Sequence, residues 1–221
     1  MIFLPKHICL LMAFFVQNLC FGLEIQVLDK SGQPVENVAI ALIPVSTGAK
    51  QIASQLPLRD VVLSQKDRQF SPYLITIQNG ASVSFLNEDA IRHQVYARSE
   101  IATFDMNLKS GEHSSGVRLT SSGEMAVGCN IHDWMQAYVF VVDTPYYSAT
   151  NENGKAQISL PDNESYELKA WHPRFQSSDL DISKNINTPA TTTVITLQQE
   201  LLPDANAIDD FDDLSDLDIY E

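Results

Sequence analysis

The stretch Tyr73-Leu74-Ile75-Thr76-Ile77-Gln78-Asn79-Gly80-Ala81-Ser82-Val83-Ser84-Phe85-Leu86 decides the fold class. Residues 73–77 and 82–86 both alternate with period two, which sends successive side chains to opposite faces of a strand. Asn79-Gly80 between them is a strong hairpin signal, because both residues tolerate positive φ. The same pattern extends outward. Residues 24–28 and 38–43 flank a turn at Asp29-Lys30-Ser31-Gly32-Gln33-Pro34, and residues 125–127 and 137–142 flank a short loop. No window offers a convincing amphipathic helix; residues 54–63 come nearest. Many short strands separated by turn signals predict an all-β chain built of sandwiches.

The first 22 residues read as a secretory signal. Lys6 and His7 precede an apolar run over residues 8–16 that is too short to span a bilayer. Cys20-Phe21-Gly22 sets up the −3 and −1 positions for cleavage after Gly22. A lipoprotein signal ending at Cys20 is the rival, against which Gln17-Asn18-Leu19 makes a poor lipobox. No later segment is long and apolar enough for a membrane helix. The expected location is periplasmic or secreted.

Of the three cysteines in the chain, Cys9 and Cys20 would leave with that signal. Cys129 would remain as a single thiol in an oxidising compartment, which calls for an explanation other than a disulfide. It stands in Gly128-Cys129-Asn130-Ile131-His132-Asp133-Trp134-Met135, a Cys-x2-His-x2-Met spacing. A thiolate, an imidazole and a thioether on one short loop suit copper, with a long weak bond to the methionine sulfur. Zinc rarely takes methionine, and no third orienting residue or oxyanion element marks a Cys–His nucleophile pair. A buried inert cysteine is the plainer alternative. His93, 36 residues upstream, is the candidate fourth ligand.

Residues 51–143 resemble the small cupredoxins, the amicyanin type most closely. Phe70 to Asn87 reads like the strand pair before that family's first ligand, His93 takes its first histidine position, and Cys129, His132 and Met135 fall on its ligand loop. Tyr138-Val139-Phe140-Val141-Val142 matches its closing strand. The resemblance implies a Greek-key sandwich holding copper through His93, Cys129, His132 and Met135. Two departures stand out. The residue after the first histidine, often Asn or Ser in the family, is Gln94; the loop histidine is flanked by Ile131 and Asp133 rather than prolines. The whole chain, including Trp171-His172-Pro173, is also similar to a bacterial family commonly labelled methylamine utilisation proteins.

The flanks carry a second resemblance. Residues 27–38 look like the opening of a transthyretin-like, carboxypeptidase-regulatory-like sandwich. Its usual continuation, a Thr-x-x-x-Gly turn, a strand, then Leu-Pro and Tyr, appears only at Thr150–Gly154, Leu160-Pro161 and Tyr166. Residues 23–50 and 144–199 are therefore read as one discontinuous sandwich with the copper module, 51–143, inserted in a loop. Two sandwiches packed side by side in tandem are the alternative, but 28 residues are too few for a core of their own. The formal charge is −14, and eight acidic residues crowd the end of the chain, so residues 200–221 are read as a disordered acidic tail. That balance argues against nucleic acid as a partner.

The function expected is that of an exported type 1 copper protein carrying one electron, not an enzyme. The alternative is a copper carrier or chaperone without redox turnover. Its redox partner would be a c-type cytochrome or a dehydrogenase. As in cupredoxins, His132 would be the solvent-edge ligand and electron port. Trp134 beside it either docks a partner or packs over the site. His113 reads as a turn residue and His172 as a structural residue at a strand end.

Overall fold

The computed structural model describes residues 20–176 and 182–203; most of the expected signal segment and the acidic tail lie outside them. Along the chain come strands β1 (Cys20–Leu28) and β2 (Ala39–Pro44), then the short helix α1 (Thr47–Ala53). Next follow β3 (Val61–Lys66), β4 (Gln69–Ser71), β5 (Leu74–Gln78), β6 (Ser82–Asn87), β7 (His93–Arg98), β8 (Thr103–Leu108), β9 (Val117–Arg118), β10 (Gly123–Gly128) and β11 (Gln136–Val142). Last are β12 (Tyr147–Ala149), β13 (Lys155–Pro161), β14 (Ser165–Trp171), β15 (Ser183–Asn187) and β16 (Thr192–Thr196). The chain is all-β apart from that one short helix among the described residues. Among the described residues, no helix is long and apolar enough to cross a membrane.

The strands form four sheets: β13-β1-β16, β12-β2-β14-β15, β5-β11-β10-β7-β8 and β4-β3-β6-β9. The first pair of sheets encloses a core that includes Leu23, Ile25, Val27, Ile40, Leu42, Leu160, Tyr166 and Leu168. The second pair encloses one that includes Leu63, Ile77, Val83, Phe85, Val95, Met125, Val127 and Val139. All strands of the second pair lie between β2 and β12 in the chain, yet Tyr147–Ala149 pairs directly with residues 41 to 39. The chain thus leaves the first sandwich on one strand and re-enters it on the strand's neighbour.

Within the first sandwich, β1 runs antiparallel to β13 and parallel to β16. Its pairing begins at Cys20, upstream of the cleavage point expected after Gly22, and Leu23, Ile25 and Val27, downstream of that point, are buried. Residues 27–38 and 150–154, far apart in the chain, bond to one another. Thr150 is buried; its Oγ1 accepts from the Val38 N–H and donates to the Val35 carbonyl, both at 2.8 Å. Four residues on, the Val27 N–H donates to the Gly154 carbonyl at 2.8 Å. Gly154 has φ +68°, and a Cβ there would stand 2.5 Å from the Val27 carbonyl oxygen. Glycine is required because backbone meets backbone at that point.

Two local expectations are corrected. Asn79-Gly80 does not close a hairpin: β5 lies in the five-stranded sheet and β6 in the four-stranded one. The turn itself forms, with the Ala81 N–H on the Gln78 carbonyl at 3.0 Å and Gly80 at φ +94°. Beyond that one bond, however, the Gly80 N–H and the Ala81 carbonyl bond Leu119, and the Asn79 N–H bonds the Val142 carbonyl. Ile75 and Ile77 on one strand and Val83 and Phe85 on the other are all buried in the same core, and an arch across the core buries both apolar faces where a hairpin would lay them side by side in one sheet. The helix also falls elsewhere. Residues 54–63 hold no helix: Pro57 interrupts them, and the β-branched pair Val61-Val62 opens a strand paired in parallel with β6. Helix α1 instead spans the expected boundary at 50/51 and buries Ala49 in the first core. At seven residues it is too short for a hydrophobic period to reveal.

Phe140 and Val142 of β11 and Leu74 of β5 project out of the second sandwich and are buried in the first core. Trp171 stacks flat on Phe140, with centroids 5.0 Å apart at 2°, and meets Tyr138 at 6.1 Å. Both faces of β5 and β11 are therefore covered, which is why they read as nearly unbroken apolar runs. Trp171→Ala is expected to destabilise the whole chain by about 3–5 kcal/mol. In a urea titration both sandwiches should lose stability together, read by tryptophan fluorescence and by near-ultraviolet circular dichroism.

Candidate metal centre

The centre is built by one hairpin and one neighbouring strand. Strands β10 and β11 pair antiparallel with Gly128 opposite Gln136, so residues 129–135 form the connecting loop. The Cys129 N–H bonds the Met135 carbonyl at 3.2 Å, and the Met135 N–H bonds the His132 carbonyl at 3.0 Å. These bonds fold the loop tightly, with Cys129 and Met135 at its two feet, 3% and 1% exposed. Strand β7 lies beside β10, with Tyr96 opposite Gly128. A Cβ on Gly128 would come within 2.9 Å of the Tyr96 ring, so glycine there lets the two strands close up beside the cysteine. That register sets His93, the first residue of β7 and fully buried, next to the loop.

The candidate ligands converge. Cys129 Sγ stands 3.7 Å from His93 Nδ1. Donor atoms of His93, Cys129 and His132 all lie within 4.8 Å of one another, and the two imidazole rings are 5.1 Å apart. Met135 is buried in the same core cluster as Cys129. The decisive atom is His132 Nδ1, which is buried and has no hydrogen-bond partner. A buried ring nitrogen without a partner is disfavoured unless something else bonds it. Beside a thiol and a second imidazole, a soft or borderline metal ion answers that need, and the residues present fit one.

His93 is oriented from behind. Its Nε2 lies 2.7 Å from Asp89 Oδ2, so Nε2–H donates to the carboxylate and Nδ1 is left with its lone pair facing Cys129. Asp89 also accepts the N–H groups of Asp67 at 2.7 Å and Arg68 at 3.0 Å. Burial by itself would raise the Asp89 carboxyl, but the Arg68 N–H, the His93 ring and the Asp67 N–H together hold it below the usual range. Asn87, fully buried, donates to the carbonyls of Ile91 and Leu108 and accepts from the Asp89 N–H, which fixes the bend between β6 and β7. Gln94 turns away to Asp105. These roles were hidden in the sequence: Asp89 and Asn87 sit in the stretch before His93, but only the fold shows which polar side chains turn inward. The position four residues before the histidine was the available signal for Asp89.

Two further histidines fall outside this group. His113 is exposed but is not a turn residue: it forms a β-bridge with Leu86, and its Nε2 lies 2.9 Å from Ser84 Oγ. His172 is buried after β14 and its Nδ1 accepts the Arg174 N–H at 3.0 Å.

His132 is the rim ligand candidate. Its ring lies between His93 and Trp134, 5.1 Å from each. Trp134 takes the outward role of the two considered, at 47% exposed, while its Nε1–H reaches the Arg68 carbonyl at 3.3 Å. Burial pushes the His132 imidazole below its ordinary value, and the His93 ring and Arg68 guanidinium push the same way. In the unfolded chain His132 takes its proton near pH 6.5; in the folded chain it resists it. This contribution to stability is thus fully present above about pH 6.5 and is lost as pH falls below it. The metal-free protein should show a lower urea midpoint at pH 5.5 than at 7.5, and His132→Asn should flatten that difference. The loss tied to Asp89 belongs to a separate window, below about pH 4.

No protein-family model matches the chain, and no curated protein matches it. Solved structures do. A copper-containing nitrite reductase from Thermus scotoductus is 27% identical over 45% of this chain, which spans 25% of the reductase, with a TM-score of 0.36. A purple cupredoxin from Nitrosopumilus maritimus is 20% identical over 38% of this chain and 100% of its own, with a TM-score of 0.34. Amicyanin from Paracoccus versutus is 20% identical over 47% of this chain and 97% of its own, with a TM-score of 0.35.

Proposed function

We propose that this protein is an exported type 1 copper protein that carries one electron. The observation that carries the reading is the partnerless, buried His132 Nδ1, on a ring that brings a donor nitrogen within 4.8 Å of donor atoms of His93 and Cys129. His93, Cys129 and His132 would hold the metal, with Met135 as the weak axial ligand. Bound there, copper would supply a one-electron couple between Cu(I) and Cu(II), both of which a set of two imidazoles, a thiolate and a thioether accommodates with little rearrangement. The protein's own part is to keep the set fixed: Asp89 orients His93, the hairpin feet fix Cys129 and Met135, and the second core excludes water from the thiolate.

Ile91, Ile131 and Trp134 are 41%, 54% and 47% exposed. Exposed apolar side chains two residues before His93, next to His132 and against its ring fit a transient redox partner, such as a c-type cytochrome or a dehydrogenase in the same oxidising compartment. The test is the oxidised, copper-loaded protein. An intense visible thiolate-to-copper band with reversible voltammetry is expected; a colourless protein that passes Cu(I) on to a competing protein would replace this reading with copper trafficking. Met135→Gln should keep the colour and lower the reduction potential, because an oxygen donor stabilises Cu(II) relative to a thioether.

A further inference from the structure

The tip of the β3–β4 hairpin is Asp67-Arg68, and both residues have positive φ, 53° and 58°. Aspartate tolerates that region, but arginine disfavours it, so the turn holds Arg68 in a conformation its side chain would not choose. Its polar groups are committed on two sides. On one side, the two N–H groups converge on the Asp89 carboxylate, whose Oδ2 in turn holds His93 Nε2. On the other, the Arg68 carbonyl accepts Trp134 Nε1–H, and the Trp134 ring lies 5.1 Å from that of His132. One exposed turn therefore touches the support of both histidines.

The turn reaches them from the opposite sheet. His93 opens a strand of the five-stranded sheet and the 129–135 loop closes two others, while β3 and β4 belong to the four-stranded sheet. We propose that Asp67-Arg68 is a clasp: a positioning element that spans the open end of the sandwich and fixes the separation of the His93 and His132 rings. This inference rests on reading the cluster as a metal centre. Because the clasp holds both histidines, loosening one arm frees the other.

A double-mutant cycle tests that coupling. Asp89→Asn keeps the size of the side chain but loses the charge and one acceptor; Trp134→Phe keeps a ring but loses the Nε1–H donor. The full chain is loaded with Cu(I), and its loss to a chelator is timed. Each single variant should lose copper roughly tenfold faster, in the range seen for residues that support metal ligands. The double variant should be within about threefold of the faster single one, because the second cut acts on a clasp already open. Singles without effect, or a double effect equal to the product of the two, would overturn the clasp. A second readout needs no copper: hydrogen exchange of the Asp67 and Arg68 amides in the metal-free protein. Trp134→Phe should speed both amides roughly tenfold or more although Trp134 bonds neither, and unchanged exchange would overturn the proposal. A wild-type protein that retains no copper would end the metal reading while leaving this second test intact.

Discussion

Cys129→Ser is expected to bleach the copper-loaded protein and to lower its copper affinity at least about a hundredfold, more than the loss of a supporting residue. Cys129 lies at the foot of the loop, 3% exposed, with its sulfur 3.7 Å from His93 Nδ1. Serine is close in size, so no cavity opens. Its hydroxyl finds an acceptor in that same Nδ1, so the metal-free variant should fold with a stability change of no more than about 1–3 kcal/mol. The two effects therefore separate: colour and affinity report the sulfur, while the urea midpoint of the metal-free protein reports the fold. A variant that kept both the visible band and the copper would show that the thiolate is not a ligand, and Cys129 would revert to a small buried hydrophobe.

His132→Gly is expected to have the opposite pattern. The ring lies at the rim, next to exposed Trp134, and its removal opens an edge rather than the core. His93, Cys129 and Met135 remain buried, so copper should stay bound while electron exchange with a partner slows by at least about tenfold, the equivalent of about 1.4 kcal/mol in the barrier. Millimolar external imidazole should enter the gap and restore the rate. Trp134 loses the ring it leans on, so part of the docking face loosens as well. Exchange that is unchanged in the variant would place the exit of the electron elsewhere and remove the claim of Ile91, Ile131 and Trp134 to be the docking face.

The two expectations differ because the loop separates chemical jobs along seven positions, and this much can be read from the chain alone. Cys129, His132 and Met135 are close in sequence, so any compact loop brings them near one another, and the alternation of residues 125–127 and 137–142 announces the strands that grip it. The strand-forming runs were legible for the same reason: period two is a local property. The thioether also narrows the metal without knowledge of geometry, because ligand softness belongs to the side chain.

The errors fall where the answer depends on distant residues. Asn79-Gly80 forms its turn, but whether the strands on either side share a sheet depends on partners β11 and β3, which belong to different sheets. Helix α1 is held by burying Ala49 and not by its own periodicity. Asp89 is not legible in the chain because its three donors come from Asp67, Arg68 and His93, and only the approach of the β3–β4 tip makes a surface-type acid into a support.

The chemistry of the candidate ligands and the strand pattern were thus determined by the sequence itself, since side-chain chemistry and alternation are set residue by residue. The tertiary structure alone decided that the opening strand pairs with β13 and β16, that His93 comes to the loop through the Tyr96–Gly128 register, and that His132 Nδ1 is left buried without a partner. Those outcomes rest on contacts between segments tens of residues apart, where burial of apolar faces selects one pairing among many that local preference would allow equally.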